Sequence, residues 1–233
     1  MATLSSREHT LRTTVASLVD QVDCLLVYLN GHAKVPAFLR HPKVAHAVLS
    51  SEFGIRGAEA KLLFWDRAEW KAPPYFSDDD IALTVDDDIT YPPDYAQRHV
   101  TAIEKRPNAI SCFHGSIIRP GFERWARDRH RLHMTDRLAE DTRVHVPGTG
   151  TMGFRRGALD VSLRRDQRWS HCVDIMTAIA AKAQGVECWS LARPAGYIIA
   201  EKAPKSGTGI YRQRTGAGND EVESRAIVEA GPW

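Results

Sequence analysis

The sequence predicts one α/β domain, a mixed and mostly parallel sheet flanked by helices, on three observations. Apolar runs of strand length alternate with amphipathic runs of helix length along most of the chain. Ile81–Val85, in "DDIALTVDDD", is a continuous apolar segment of the kind found in strands covered on both faces. A chain of 233 residues with 43% hydrophobic content is also long enough to bury one substantial core.

The elements follow in order. "ATLSSR" reads as a short strand ending in small polar residues. In "EHTLRTTVASLVDQV" the spacing of Leu11, Val15, Leu18 and Val22 puts them on one helical face. "DCLLVYLN" is a buried strand ending at Asn30-Gly31, which completes a strand, helix, strand unit. "PAFLRHPKVAHAVLS" is expected as a short helix broken near Pro42, and "AKLLFWDRAEW" fits helix or strand equally. After Ile81–Val85, Pro92 and Pro93 disfavour helix before them, and "DYAQRHVTAIEKR" then forms a helix with Asp94 as its N-cap. "NAISCFHG" is a further strand, "GFERWARDRHRLHMTDRLAE" a basic irregular or helical stretch, and "RVHVPGTGTMGF" a strand with a glycine turn. "RWSHCVDIMTAIAAKAQGV" is a helix closed by Gly185, and "ECWSLA" is the last strand. The domain therefore covers residues 1–204. Residues 205–233 are rich in Gly, Ser, Thr and charge, which predicts a polar tail or a mobile loop that orders on ligand binding.

Composition removes several function classes. Lys plus Arg number 31 against 29 acids, so no overall basic coat exists for nucleic acid or for an anionic membrane surface. The longest plain apolar run, "CLLVYL" at 24–29, is too short to cross a bilayer, and "MATLSSREHT" lacks the pattern of a secretory leader. Cys24, Cys112, Cys172 and Cys188 show neither CxxC nor zinc-finger spacing and read as small buried apolar residues in a reducing compartment. A cytoplasmic protein without an integral membrane segment is expected.

The chemistry concentrates in "LTVDDDITYPPDY". Adjacent carboxylates repel one another, so a chain that keeps Asp86, Asp87 and Asp88 together either meets a neutralising cation or leaves them in a solvated acidic turn, the reading the spacing alone favours. In an extended segment Asp86 and Asp88 share a face and Asp87 points away. Two carboxylates on one side hold a divalent ion and leave coordination positions open for diphosphate oxygens. The carboxyl end of a strand is where α/β sheets bind ligands.

With this context the sequence resembles the nucleotide-sugar glycosyltransferases of the GT-A fold, specifically bacterial family 2-like enzymes. The resemblance covers roughly residues 2–200 and rests on "SSREHTLRTTVASLVDQVDCLLVYLN", "LTVDDDITYPPDY", "GTGTMGF" and "CVDI", with D-D-D-I-x-Y-P-x-D-Y the most specific part. It implies a Rossmann-like sheet and hexosyl transfer with inversion from a nucleoside-diphosphate sugar, UDP favoured, to a hydroxyl of a glycan or other acceptor. A bacterial surface polysaccharide is the product class it suggests. It also implies Mn²⁺ or Mg²⁺ held by Asp88 with Asp86, and donor binding by Ser5, Arg7, Asn30, Lys61, Asp86 and Asp87. Asp174 would be the base that deprotonates the acceptor; its other reading is an acid at a helix start that favours the helix dipole. Two departures stand out. No His follows His171, which leaves His114, His145 and His171 as third metal ligands, and Glu59 stands where the resemblance leads one to expect Asp.

Between Arg119 and Arg168 there are twelve Arg and no Lys against seven acids; these either grip an anion or form a solvated face. Trp125, Trp169 and Trp189 either stack on a sugar or pack in the core. Two other functions stay open. A sugar-nucleotide nucleotidyltransferase needs a Gly-rich, Arg-containing loop after the first strand, and "TLSSREHT" has no Gly. A non-catalytic carbohydrate or divalent-ion module needs only the acidic cluster, although the EF-hand pattern is absent.

Overall fold

A computed structural model describes residues 1–54, 57–67, 70–71, 73–74, 76–161, 172–201 and 220–233. The chain begins with β1 (Ala2–Leu4), α1 (Glu8–Leu18), β2 (Leu25–Asn30), β3 (Val44–Leu49) and α2 (Ser50–Phe53). A 3₁₀ stretch at Ala58–Trp65 leads to β4 (Ile81–Val85), β5 (Ile89–Thr90), α3 (Tyr95–Lys105), β6 (Ala109–Cys112), β7 (Gly115–Ile118) and β8 (Arg129–Leu132). The remainder comprises β9 (Thr142–Val144), β10 (Val146–Pro147), β11 (Thr151–Arg155), α4 (Val173–Ala183), β12 (Glu187–Ser190), β13 (Ile199–Ala200) and α5 (Glu221–Ala230).

The architecture is mixed α/β. Strands β1, β2 and β3 form a parallel sheet in that order, and a five-stranded sheet runs β4, β11, β6, β12, β9. Within the second sheet only β6 and β12 pair in parallel; β11 is antiparallel to both its neighbours, and β9 is antiparallel to β12. Small antiparallel ladders join β7 with β8 and β10, and β5 with β13. The expectation of a mostly parallel sheet is thus corrected for the second sheet. The segment Thr151–Arg155 inserts between β4 and β6 in the reversed direction, Thr151 opposite Val85 and Arg155 opposite Ile81, so both of its ladders are antiparallel.

Side chains of β2 alternate between two cores, with Leu26 and Tyr28 in one and Leu25, Val27 and Leu29 in the other. Both faces of that strand are therefore buried, as its unbroken apolar run requires. Leu11, Val15 and Leu18 of α1 and Tyr95 of α3 fill one core; Leu62, Leu63, Phe64, Met152 and Phe154 fill the other.

Two sequence expectations give way to tertiary pairing. Val44–Leu49, expected within a helix, is a strand because β2 offers a parallel partner from Leu25 to Leu29 and Pro42 blocks helix entry. Asp94 occupies the N-cap position of α3 but makes no cap bond; its Oδ1 accepts from Tyr197 Oη at 2.9 Å. Gly185 ends α4 as expected, at φ 69°, with Val186 N–H returning to Ala181 O at 2.8 Å.

In the polar C-terminal stretch, residues 205–219 lie outside the described residues, and α5 follows them. Ala226 and Ile227 of α5 are buried with Ile175 and Ala178 of α4, and Asp220 accepts from Arg124 at 2.6 Å and from Ala126 N–H at 2.7 Å. All four cysteines are free, with Cys24 half-buried and the others buried. No described helix is long and apolar enough to cross a membrane.

Phe113, fully buried at the end of β6, touches the rings of Tyr95, His99 and Tyr197. Phe113→Ala is expected to remove about 3–5 kcal/mol of stability, read from the urea midpoint at unchanged slope.

Candidate functional site

The apolar run of β4 ends at Val85, and the chain turns at once: Asp86 leaves the strand, Asp87 and Asp88 form a turn, and Ile89–Thr90 make β5. This corrects the alternating geometry expected for the triplet. Arg7 Nη1 reaches both Asp87 Oδ1 at 2.8 Å and Asp88 Oδ2 at 3.3 Å, which a flat strand would not allow. Arg7 comes from the turn that joins β1 to α1. Lys61, buried in the 3₁₀ stretch, pairs with Asp86 Oδ1.

Tyr91 of the "ITYPP" segment fixes the turn from below. Its buried hydroxyl accepts from Asp86 N–H at 2.9 Å and donates to Gly150 O at 2.6 Å. The turn Gly148-Thr149-Gly150 then organises the opposite wall. A Cβ on Gly150 would lie 2.7 Å from Asp86 Cγ, and one on Gly148 would lie 2.8 Å from the His114 side chain. Thr149 donates its N–H at 2.9 Å and its hydroxyl at 2.6 Å to Asp174 Oδ1, in the first turn of α4. Both hydrogen bonds fall on Oδ1, which leaves Asp174 Oδ2 without a partner among the described residues.

These groups line a cavity of about 460 Å³. Arg7, Asn30, Lys61, Asp86, Asp87, Asp88 and Asp174 all face it; Ser5 is exposed and lies outside the lining. Asp86, Asp87, Asp88, Asp174, Glu201 and Glu223 line it against Arg7 and Lys61, so its lining carries a clear negative excess. Sequence reasoning missed Glu201 and Glu223. Glu201 is brought in by β13 pairing with β5, its N–H donating to Asp88 O at 2.8 Å, and Glu223 arrives on α5. Neither carries a local signal. Thr149 had one, since it sits between two glycines.

The electrostatics follow from this crowding. Burial pushes Asp88 upward, and the neighbouring charges of Asp86 and Asp87 add to it, so its pKa reaches about 6 despite Arg7. Burial would also raise Asp86, but the attraction and hydrogen bond of Lys61, with Arg7, hold it below the ordinary carboxylate range. Burial raises Asp174, against the Thr149 hydrogen bonds and Lys61. His114 is pushed down to about 3 by burial and by His133, Arg131 and Arg129, and is therefore a neutral imidazole.

Among the described residues no group of three or more His, Cys, Asp and Glu is arranged to enclose a metal. Of the expected third ligands, His114 lines the cavity, His145 Nδ1 is used by Ile118 N–H at 2.8 Å, and His171 lies outside the described residues. Asp86 Oδ2 and Asp88 Oδ1 have no protein partner among the described residues. Two carboxylates with open positions suit a Mg²⁺-type ion that takes its other oxygens from phosphates and water, and not a closed protein cage. Glu59 turns back to accept from Gly57 N–H at 3.0 Å.

The basic stretch is mostly paired on the surface: Arg124 with Asp220, Arg127 with Glu123 and Asp128, Arg143 with Glu187, Arg155 with Asp79 and Arg156 with Asp78. Arg164, Arg165, Arg168 and Trp169 lie outside the described residues. Trp189 stacks under Arg106, 4.2 Å from its ring centre, away from the cavity. Compared with known proteins, the chain matches no family model and no curated sequence.

Because Asp88 titrates higher folded than unfolded, its ionisation costs stability as pH rises from about 4 to about 6, and the loss is complete above that window. Asp88→Asn is expected to be more stable than the parent at pH 8 and little different at pH 4, by urea denaturation. Asp86→Asn, which strands the buried Lys61 ammonium, is expected to lose stability at pH 8. Gly150→Ala is expected to displace the Asp86 carboxylate and to destabilise by about 1–3 kcal/mol in the same measurement.

Proposed function

We propose that the chain is a metal-dependent hexosyltransferase of GT-A type, moving a sugar with inversion from a nucleoside-diphosphate donor, UDP favoured, to a hydroxyl acceptor. The single observation that carries this reading is the carboxylate excess around the cavity at the end of β4. A diphosphate is repelled by such a lining unless a cation enters with it, and Asp86 and Asp88 present free oxygens to that cation. Support also comes from the strand orders β3, β2, β1 and β4, β11, β6, β12, with β11 reversed, which suit a Rossmann-like sheet carrying its ligand at strand ends.

When bound, Mn²⁺ or Mg²⁺ supplies charge neutralisation to the diphosphate leaving group. The chain's own residues do the rest. Arg7 and Lys61 hold the three carboxylates in place, and Asn30, buried at the end of β2, lines the donor side. Asp174 lines the cavity from the α4 start, fixed through Oδ1 by Thr149, with Oδ2 free of protein partners among the described residues. In transfer, an acceptor hydroxyl oxygen bonds to the anomeric carbon while the carbon–oxygen bond to the diphosphate breaks. Asp174 Oδ2 takes the hydroxyl proton, and the nucleoside diphosphate departs with the bonding pair. A carboxylate whose pKa is raised by burial is a stronger base for this step than an exposed one.

Thermal denaturation with UDP, GDP or CDP, each with and without Mn²⁺, is expected to show a shift that requires nucleotide and metal together, with UDP giving the largest. Asp88→Ala abolishes the joint shift if the site is assigned correctly; its retention refutes the metal role. Asp174→Asn is expected to keep the shift and to lower sugar transfer at least about a hundredfold, measured by nucleotide release against an acceptor panel. Full turnover in that variant removes Asp174 as the base.

A further inference from the structure

A second cavity, of about 300 Å³, opens from the first beyond Asp174. The two share His114, His133, Val173, Asp174 and Glu223, so a ligand in one can touch a ligand in the other. The new cavity is polarised. Its carboxylates, Asp174 and Glu223, lie at the shared mouth, whereas the residues it does not share include Trp125, Arg129 and Arg131.

Both arginines stand on β8, two residues apart, and so project to the same side of that strand. Arg129 is held: it lies over the Trp125 ring at 4.0 Å from its centre and donates to Ser116 Oγ at 3.1 Å. Arg131 is exposed, and its side chain makes no hydrogen bond or ion pair among the described residues. His114 and His133 meet edge to face at 5.2 Å on the wall between the two ends. His133 Nδ1 lies 2.7 Å from Thr135 Oγ1 and 3.3 Å from Thr135 N, which fixes the ring against that segment.

We propose that this second cavity takes the acceptor, and that the acceptor is a sugar-sized molecule bearing a phosphate or a carboxylate, gripped by Arg131 and Arg129 at the far end while a hydroxyl reaches Asp174. This rests on the glycosyl-transfer reading of the first cavity for the word acceptor, while the anion site itself stands on the second cavity alone. A guanidinium pair with a fixed and a free member suits a planar or tetrahedral oxyanion, and the adjacent neutral imidazoles suit hydroxyls. The carboxylates at the mouth repel the anionic end and so set its direction.

The test is binding by titration calorimetry of glucose, glucose 6-phosphate and glucuronic acid, with and without UDP and Mn²⁺. Either anionic sugar is expected to bind about tenfold or more tighter than glucose, and the stronger of the two identifies the charge. Arg131→Gln, at an exposed position, is expected to erase that preference and to leave the UDP and Mn²⁺ thermal shift unchanged. Equal binding of glucose and both anions, or a preference that survives Arg131→Gln, overturns the proposal. If the anion preference holds and the nucleotide shift is absent, the anion site stands and the donor reading falls. If the nucleotide shift is present and the preference absent, the reverse holds.

Discussion

Three adjacent carboxylates at the end of β4 repel one another, and the arrangement around them exists to hold that repulsion. Lys61 takes Asp86 from one side, and Arg7 takes Asp87 and Asp88 from the other. Both cations are largely withdrawn from solvent, so their attraction is screened little by water. The balance is incomplete. Asp88 retains an upward shift, from burial and from the charges of Asp86 and Asp87, that neither cation removes. Crowding of this kind costs folding stability, as is common where charged groups gather around a cavity.

The glycine turn between β10 and β11 is the second organising element. Its two glycines admit the Asp86 carboxylate and the His114 ring against bare backbone, and the threonine between them orients Asp174. One short turn thus sets Asp86, His114 and Asp174 relative to one another. Tyr91 ties this turn to the acidic one through a single hydroxyl that accepts from Asp86 and donates to Gly150. Displacement of any of these groups moves the others, because the interior around them is close-packed.

The two cavities carry opposite demands. The larger is lined mostly by carboxylates; the smaller has arginines away from the larger and carboxylates where the two share their lining. Asp174 lies at the junction and lines both cavities. α5 contributes Glu223 to that junction and is fastened by Asp220 and Ser224 to the segment that carries Trp125. The C-terminal helix therefore belongs to the site as well as to the core.

Local sequence determined much of this. The helical face of Leu11, Val15 and Leu18, the buried run of β2, the end of α4 at Gly185 and the position of the acidic triplet after a strand were all legible, because each follows from spacing or from one residue's backbone preference. So was the gathering of Arg7, Asn30, Lys61 and Asp174 near that triplet, through resemblance. Other features were decided only by contacts between distant segments. Val44–Leu49 became a strand because β2 was there to pair with it; Asp87 and Asp88 turned toward one guanidinium because the chain reverses into β5; and Glu201 and Glu223 reached the cavity on elements whose local sequence says nothing of a ligand. Periodicity and turn chemistry act over a few residues, whereas a binding site is a meeting of side chains far apart in sequence, fixed by the packing of the whole core.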